Sequence, residues 1–129
     1  MGALLPRPQM LLFFKRACNL NVTTDNTLDK QFNCSTFLIA TNGIRICNAS
    51  TSLTTAVGGI YTAASKGGIA VVSNLQTYSA LTAATLGMDA TVAAAGLDEL
   101  TAAALYLSLT TPQGGAATAD VFVFGWPIT

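Results

Sequence analysis

Residues 120–126, Asp-Val-Phe-Val-Phe-Gly-Trp, constrain this chain more than any other stretch. Val121 and Val123 alternate with Phe122, Phe124 and Trp126, so a strand here is apolar on both faces. Both sides must be covered, by the chain itself or by a partner. Just upstream, Leu105, Leu107 and Leu109 alternate with Tyr106, Ser108 and Thr110, the period of two that marks a strand with one buried face. Pro112 and Gly114-Gly115 lie between the two runs, and the whole reads as a long β-hairpin.

The remaining turn signals multiply the strands. Asn42-Gly43 between the apolar runs 32–40 and 44–48 is a hairpin signal. Ser65-Lys-Gly-Gly68 between 60–64 and 69–73 is another. Residues 19–31 are polar and read as a solvated loop, and 49–57 as a Ser/Thr loop or short strand ended by Gly58-Gly59. The stretch 75–100 is ambiguous: its alanines suit a helix, but its threonines and its glycines at 87 and 96 favour strands over 76–81 and 88–94. The expected fold is all-β, an antiparallel sandwich or jelly roll of about seven or eight strands, with α+β (one helix within 76–104) as the alternative.

Pro6 and Pro8 keep the N-terminus extended. Residues 1–16 read as an arm tipped by the sticky run Met10-Leu-Leu-Phe-Phe14, and 17–129 as a single β-rich domain. The run is either an edge strand of its own domain or a contact with a neighbour. It is too short for a signal core, and Lys15-Arg16 follows it rather than preceding it. Pro6 spoils Met1-Gly2 as a myristoylation start. No span approaches the roughly 20 apolar residues of a membrane helix.

Charge is sparse. Hydrophobic residues make up 51% of the 129 and charged residues 9%, against about 25% charged in average soluble proteins. Such a surface is either coated with Thr and Ser or covered in an assembly, and the second reading explains the two-faced strand. The first 66 residues hold six bases and two acids, a balance of +4; the four later acids make −4. That is too thin for a nucleic-acid face and suits complementary subunits.

Enzyme readings fail for want of chemistry. There is no His, and no G-x-S-x-G, P-loop or G-x-G-x-x-G motif. Ser65 beside Lys66 points away from it, and Asp98-Glu99 are strand or loop neighbours rather than a pair spanning one bond. Asp25 and Asp29 lack the spacing of a calcium loop. Cys18, Cys34 and Cys47 are an odd set without a CxxC, so free thiols in a reducing compartment are expected and a zinc site is not. The acceptor patterns at Asn21, Asn33 and Asn48 carry no meaning without secretion. No cofactor is expected.

Three stretches carry a family resemblance: Thr51-Ser-Leu-Thr-Thr55, residues 58–68, and residues 105–124. In their Ala/Thr-rich texture and turn phrasing they resemble the small virion structural proteins of tailed bacteriophages, above all the capsid decoration, or cement, class. The resemblance covers 45–126. It implies a β-rich protein on the outer capsid surface of the virion that clamps major capsid subunits. The resemblance carries over no site residues. The residues themselves point to a homo-oligomer, dimer or trimer, through the two-faced last strand, to assembly in the host cytoplasm with reduced thiols, and to neither nucleic-acid nor membrane partners. From the residues themselves, the candidate interface is Met10, Leu11, Leu12, Phe13 and Phe14 with Phe122, Phe124 and Trp126. The alternatives are a tail or head–tail joining protein, and a carbohydrate-binding module for which Tyr61, Tyr78, Tyr106 and Trp126 are the available aromatics.

Overall fold

The computed structural model describes residues 8–128. Nine strands follow one another as β1 (Met10–Asn19), β2 (Asn26–Lys30), β3 (Thr36–Cys47), β4 (Val57–Ala63), β5 (Gly67–Val72), β6 (Gly87–Asp89), β7 (Leu100–Thr101), β8 (Leu105–Thr111) and β9 (Thr118–Ile128). A single 3₁₀ turn, Ala94–Leu97, is the helical content among the described residues. The protein is all-β, as expected, with the strands in the order β5-β4-β8-β2-β1-β9-β3-β6 and β7 on the far part of β3. All pairings of named strands are antiparallel.

The sheet curls because β2 serves two neighbours. Its Asp29–Lys30 end pairs with Phe13 and Phe14 of β1, while Asn26, Thr27 and Leu28 pair with Leu105–Leu107 of β8. One half of the sheet thus turns over onto the other. Leu105, Leu107, Leu109, Ile60, Val71 and Val72 then face Leu12, Phe13, Ile44, Ile46, Val121 and Val123 across one core. After β6, Ala90 N–H still donates to Ile44 O at 2.9 Å. The chain then bridges Val92 to Val72, and Ala93 N–H donates to Val71 O at 2.9 Å. The segment thereby ties the two open ends of the sheet together, which covers backbone edges that would otherwise template association.

Several sequence expectations change. Residues 105–111 and 118–128 do not pair with each other. β8 lies between β4 and β2, and β9 lies between β1 and β3. The connector crosses from one half to the other, and Gln113 fixes the crossing. Its Oε1 accepts from Thr55 and Ala56 N–H (3.0 and 3.1 Å), and its Nε2 donates to Ser52 O and Thr54 Oγ1 (3.2 and 3.1 Å). A fully satisfied amide replaces the tight turn that a hairpin would need.

Asn42-Gly43 makes no hairpin either. β3 runs straight through it, with both ends paired to β9 and a register shift between Ile39 and Ile44. A type I′ turn requires positive φ at both central residues, and neither residue is among those with positive φ. Gly43 is needed instead because a Cβ there would strike the Phe124 carbonyl oxygen and meet Ala40 at 3.0 Å. The pair is a bulge.

Residues 10–16, expected as the end of the arm, belong to β1 in the middle of the sheet; residues 1–7 lie outside the described residues. Residues 26–30, expected as part of a loop, form β2 because Asn26 turns inward and mimics a strand. It accepts from Asn19 N–H at 2.9 Å and donates to Asn19 O at 3.0 Å. The strands expected over 76–81 and 88–94 shrink to two bridges, Val57–Thr77 and Val72–Val92, and the short β6. Tyr78 anchors that stretch from within the core, donating to Gly58 O at 2.8 Å. Gly58 and Gly59 lie inside β4 rather than at a loop end. The β4–β5 hairpin forms as expected, closed by Gly67 N–H to Ala64 O at 3.1 Å.

Candidate functional site: the outer face of β1, β9 and β3

The bulge at Leu12 sorts the run Met10–Phe14 into two sets. Between Leu11 and Phe13 the register with β9 shifts by one, so Leu12 and Phe13 both turn inward and are fully buried. Phe13 packs edge-on against Phe37 (centroids 5.0 Å apart) and Phe32 (5.6 Å), at the centre of the core. These two residues leave the candidate interface: their apolar character serves the fold. Met10 is 41% exposed, and Leu11 and Phe14 are half-buried.

Leu11 and Phe14 stand beside the outward residues of β9. The register sets Leu11 against Phe124 and Phe14 against Phe122, and on the other side it sets Leu38 of β3 against Trp126. The rings of Phe14 and Phe122 stack with centroids 6.1 Å apart and planes 5° from parallel, and Phe122 and Phe124 follow at 6.5 Å and 23°. The three β9 aromatics are half-buried while Val121 and Val123 beneath them are sealed in the core. The two-faced strand is therefore resolved in an asymmetric way: one face fills the core, and the other lies on the outside of the sheet as a row of stacked rings. Five of the eight candidate residues (Leu11, Phe14, Phe122, Phe124 and Trp126) lie on the outer face, and Leu38 joins them; Met10, opposite Gly125, is exposed at the strand end but on the other face.

Charge stays at the rim. Arg45, opposite Phe122 in the register, bonds Asp89 at 3.2 Å. Both side chains are more than 40% exposed, so the pair contributes under about 1 kcal/mol. At the far end Asp120 is a clamp. Its Oδ1 accepts from Ala17 N–H and its Oδ2 from Asn48 Nδ2, each at 2.8 Å. Ala17 and Asn48 both hold left-handed backbone, φ 52° and 55°, a conformation that costs a non-glycine residue about 1–2 kcal/mol unless something fixes it. Asp120→Ala is expected to lower stability by about 2 kcal/mol, read as a lower urea midpoint at unchanged slope. Asp120→Asn should recover part of the loss, since one amide oxygen still accepts. An Asp120→Ala midpoint equal to wild type would dismiss the clamp.

Among the described residues, this face is apolar and aromatic along β9, with charge at its rim. Among the described residues no group of three His, Cys, Asp or Glu side chains could hold a metal ion. Asp25 and Asp29 do not converge either: Asp25 accepts from Ser65 N–H at 2.9 Å, and Asp29 sits exposed on β2. No helix among the described residues is long and apolar enough to cross a membrane. Among the aromatics weighed for carbohydrate, Tyr78 is core, Trp126 belongs to this face, and Tyr61 and Tyr106 are register partners on the other half of the sheet. Leu38 was hidden in the sequence because 37–40 is apolar throughout, and only the register with β9 says which side it takes. Compared with protein-family models, curated proteins and solved structures, the chain matches none.

Proposed function

We propose that this chain is a structural protein of a tailed-phage virion, of the capsid decoration class, and that it seats the outer face of β1, β9 and β3 on the major capsid shell. The observation that carries the reading is the row Phe14–Phe122–Phe124, laid outward on central strands when a core lies directly beneath it. Aromatic rings held rigid by stacking are what anchors an interface at low entropic cost.

The size of the patch favours a repeating shell over a lone dimer. Aromatic side chains bury about 150–250 Å² each, and Phe14, Phe122, Phe124 and Trp126 are already partly covered. Together they offer on the order of 400 Å², half of the roughly 800 Å² per partner of a stable pair. Such a contact is weak singly and strong when repeated, as on a lattice of identical subunits. Sparse charge and the tied sheet edges suit a protein that lies against another surface without self-association through its strands. A symmetric oligomer through the same face is the second reading, favoured by the in-register stacking alone.

Phe122→Asp and Phe124→Asp test it. Each side chain is only partly buried and lies on the outer face, so both variants are expected to fold with melting temperatures near that of wild type. Wild-type protein should co-sediment with phage heads, and either variant should lose at least about tenfold in affinity, one aromatic anchor being worth about 2 kcal/mol or more. Undiminished binding by both variants refutes the face. Failure of the wild type to sediment with heads refutes the decoration role, and a dimer-to-monomer change on gel filtration selects the second reading.

A further inference from the structure

The half of the sheet that faces away from the aromatic row carries a second, polar hollow. On β8, Leu105, Leu107 and Leu109 point into the core, so Tyr106, Ser108 and Thr110 take the outer side. Over Ser108 lies the β4–β5 turn. Its two central residues, Ser65 and Lys66, are both left-handed (φ 57° and 59°), although glycines stand next in the chain. Consecutive strained residues where glycine was at hand call for a use of their side chains.

The strain aims Lys66 across the sheet. Its Nζ donates to Thr23 O at 2.9 Å and to Ser108 Oγ at 3.0 Å, while Asp25 Oδ2 holds the turn by accepting from Ser65 N–H. Lys66 becomes the divide between two adjoining hollows. One, of about 390 Å³, is lined by Thr23, Thr24, Asp25, Ser65 and Ser108 besides the lysine. The other, of about 510 Å³, is lined by Tyr61, Ala70, Ser73, Asn74 and Ala93. Both fall in the range of small-molecule sites.

One group here is left incomplete by the fold. Asp25 Oδ1 is shut from solvent without a hydrogen-bond partner. Buried polar groups are almost always paired, so an unpaired one at the edge of a cavity marks where a ligand's group belongs. Beside it, Tyr61 lines the larger hollow, with its hydroxyl left open to solvent.

We propose that these joined hollows bind a neutral saccharide. One carboxylate and one ammonium cancel, so neither an anion nor a cation is selected. What remains is a dense set of hydroxyls, an amide and a phenol, alternating donors and acceptors as a polyol does. Tyr61, with Ala70 and Ala93, supplies an apolar wall for the C–H face of a pyranose. The site lies across the core from the aromatic row, so a protein seated by one face presents the other outward. The proposal stands whether or not the decoration reading does.

The test is a glycan array carrying neutral, sialylated and sulfated oligosaccharides, followed by titration of the best binder against wild type, Tyr61→Phe and Lys66→Met. Because the Tyr61 hydroxyl bonds nothing in the fold, Tyr61→Phe should melt as wild type does and bind about three- to tenfold more weakly. Lys66→Met should weaken binding at least as much. Binding of no neutral glycan, binding confined to charged glycans, or affinity unchanged in both variants overturns the proposal. A protein that decorates heads but ignores every neutral glycan loses this site and keeps its proposed function.

Discussion

Alanine at position 125 should abolish folding. Gly125 sits in β9 with Met10 of β1 on one side and Ile39 of β3 on the other. A Cβ there would fall on the Leu38 carbonyl oxygen, 2.9 Å from Leu12 Cδ1 and 3.0 Å from Ile39 Cα. Two of these three obstacles are backbone of a strand whose own hydrogen bonds fix it, so nothing nearby can yield cheaply. The substitution combines overpacking with loss of sheet pairing at the most connected strand, and its cost should exceed about 4 kcal/mol. Small domains hold about 5–15 kcal/mol in total. The expected outcome is insoluble protein, or a soluble product without a cooperative melt by circular dichroism. Gly115→Ala is the control: a Cβ at that position meets nothing within 4 Å, and its stability should match wild type or rise slightly. A Gly125→Ala protein that melts within a few degrees of wild type would mean that β9 is not held between β1 and β3.

The same strand shows which features the sequence made legible. Alternation announced β8 and the two faces of β9, because a strand's burial period is written residue by residue. The β4–β5 turn was readable for the same local reason. Pairing was not. Asn42-Gly43 carries a hairpin's residues without a hairpin's backbone, since β9 offers both halves of β3 a partner and a bulge costs less than breaking that ladder. The 105–126 hairpin failed because its connector is held by Gln113 to residues 52–56, some sixty positions back. β2 was invisible since its inward residue is an asparagine, whose amide satisfies Asn19 as a strand would.

Of the candidate site, the outer β9 aromatics and Phe14 were found by their lack of polar neighbours. Leu12 and Phe13 were misplaced because one bulge reverses which residues face out, and no local pattern announces it. The Lys66–Ser108 contact joins residues 42 positions apart and required the sheet order before it could be seen.

Alkaline pH should unfold the protein well before ordinary side-chain hydrolysis matters. Burial pushes the Cys18 thiol from 9.0 up to about 12, helped by the Asp120 carboxylate and opposed by Lys15. Burial likewise drives the Tyr78 phenol above its usual 10.0, with Tyr61 and Cys18 adding to it. Cys47 is raised by burial and by Asp120 against the pull of Arg45. Each group therefore stays neutral in the fold at a pH where it ionises in the unfolded chain. Their stabilising effect is complete below about pH 9 and is withdrawn as pH rises toward the folded-state values. Cys18 and Tyr78, the two deeply buried groups, each subtract up to about 1.4 kcal/mol per pH unit. Cys18 alone would remove about 3–4 kcal/mol by pH 12, with Tyr78 adding to the loss above pH 10.

Urea midpoints should accordingly be flat up to about pH 8.5 and fall steeply beyond it. Cys18→Ala should lose the first part of that fall and Tyr78→Phe the second, though the latter starts lower because it forfeits the bond to Gly58 O. Thiol labelling near pH 8 gives an independent view of the same burial: half-buried Cys34 should react in the native state, and Cys18 only once the chain is unfolded. Midpoints that hold steady from pH 8 to 11 in the wild type would show that neither Cys18 nor Tyr78 is buried as the core places them, and with them would go the shared core beneath both halves of the sheet.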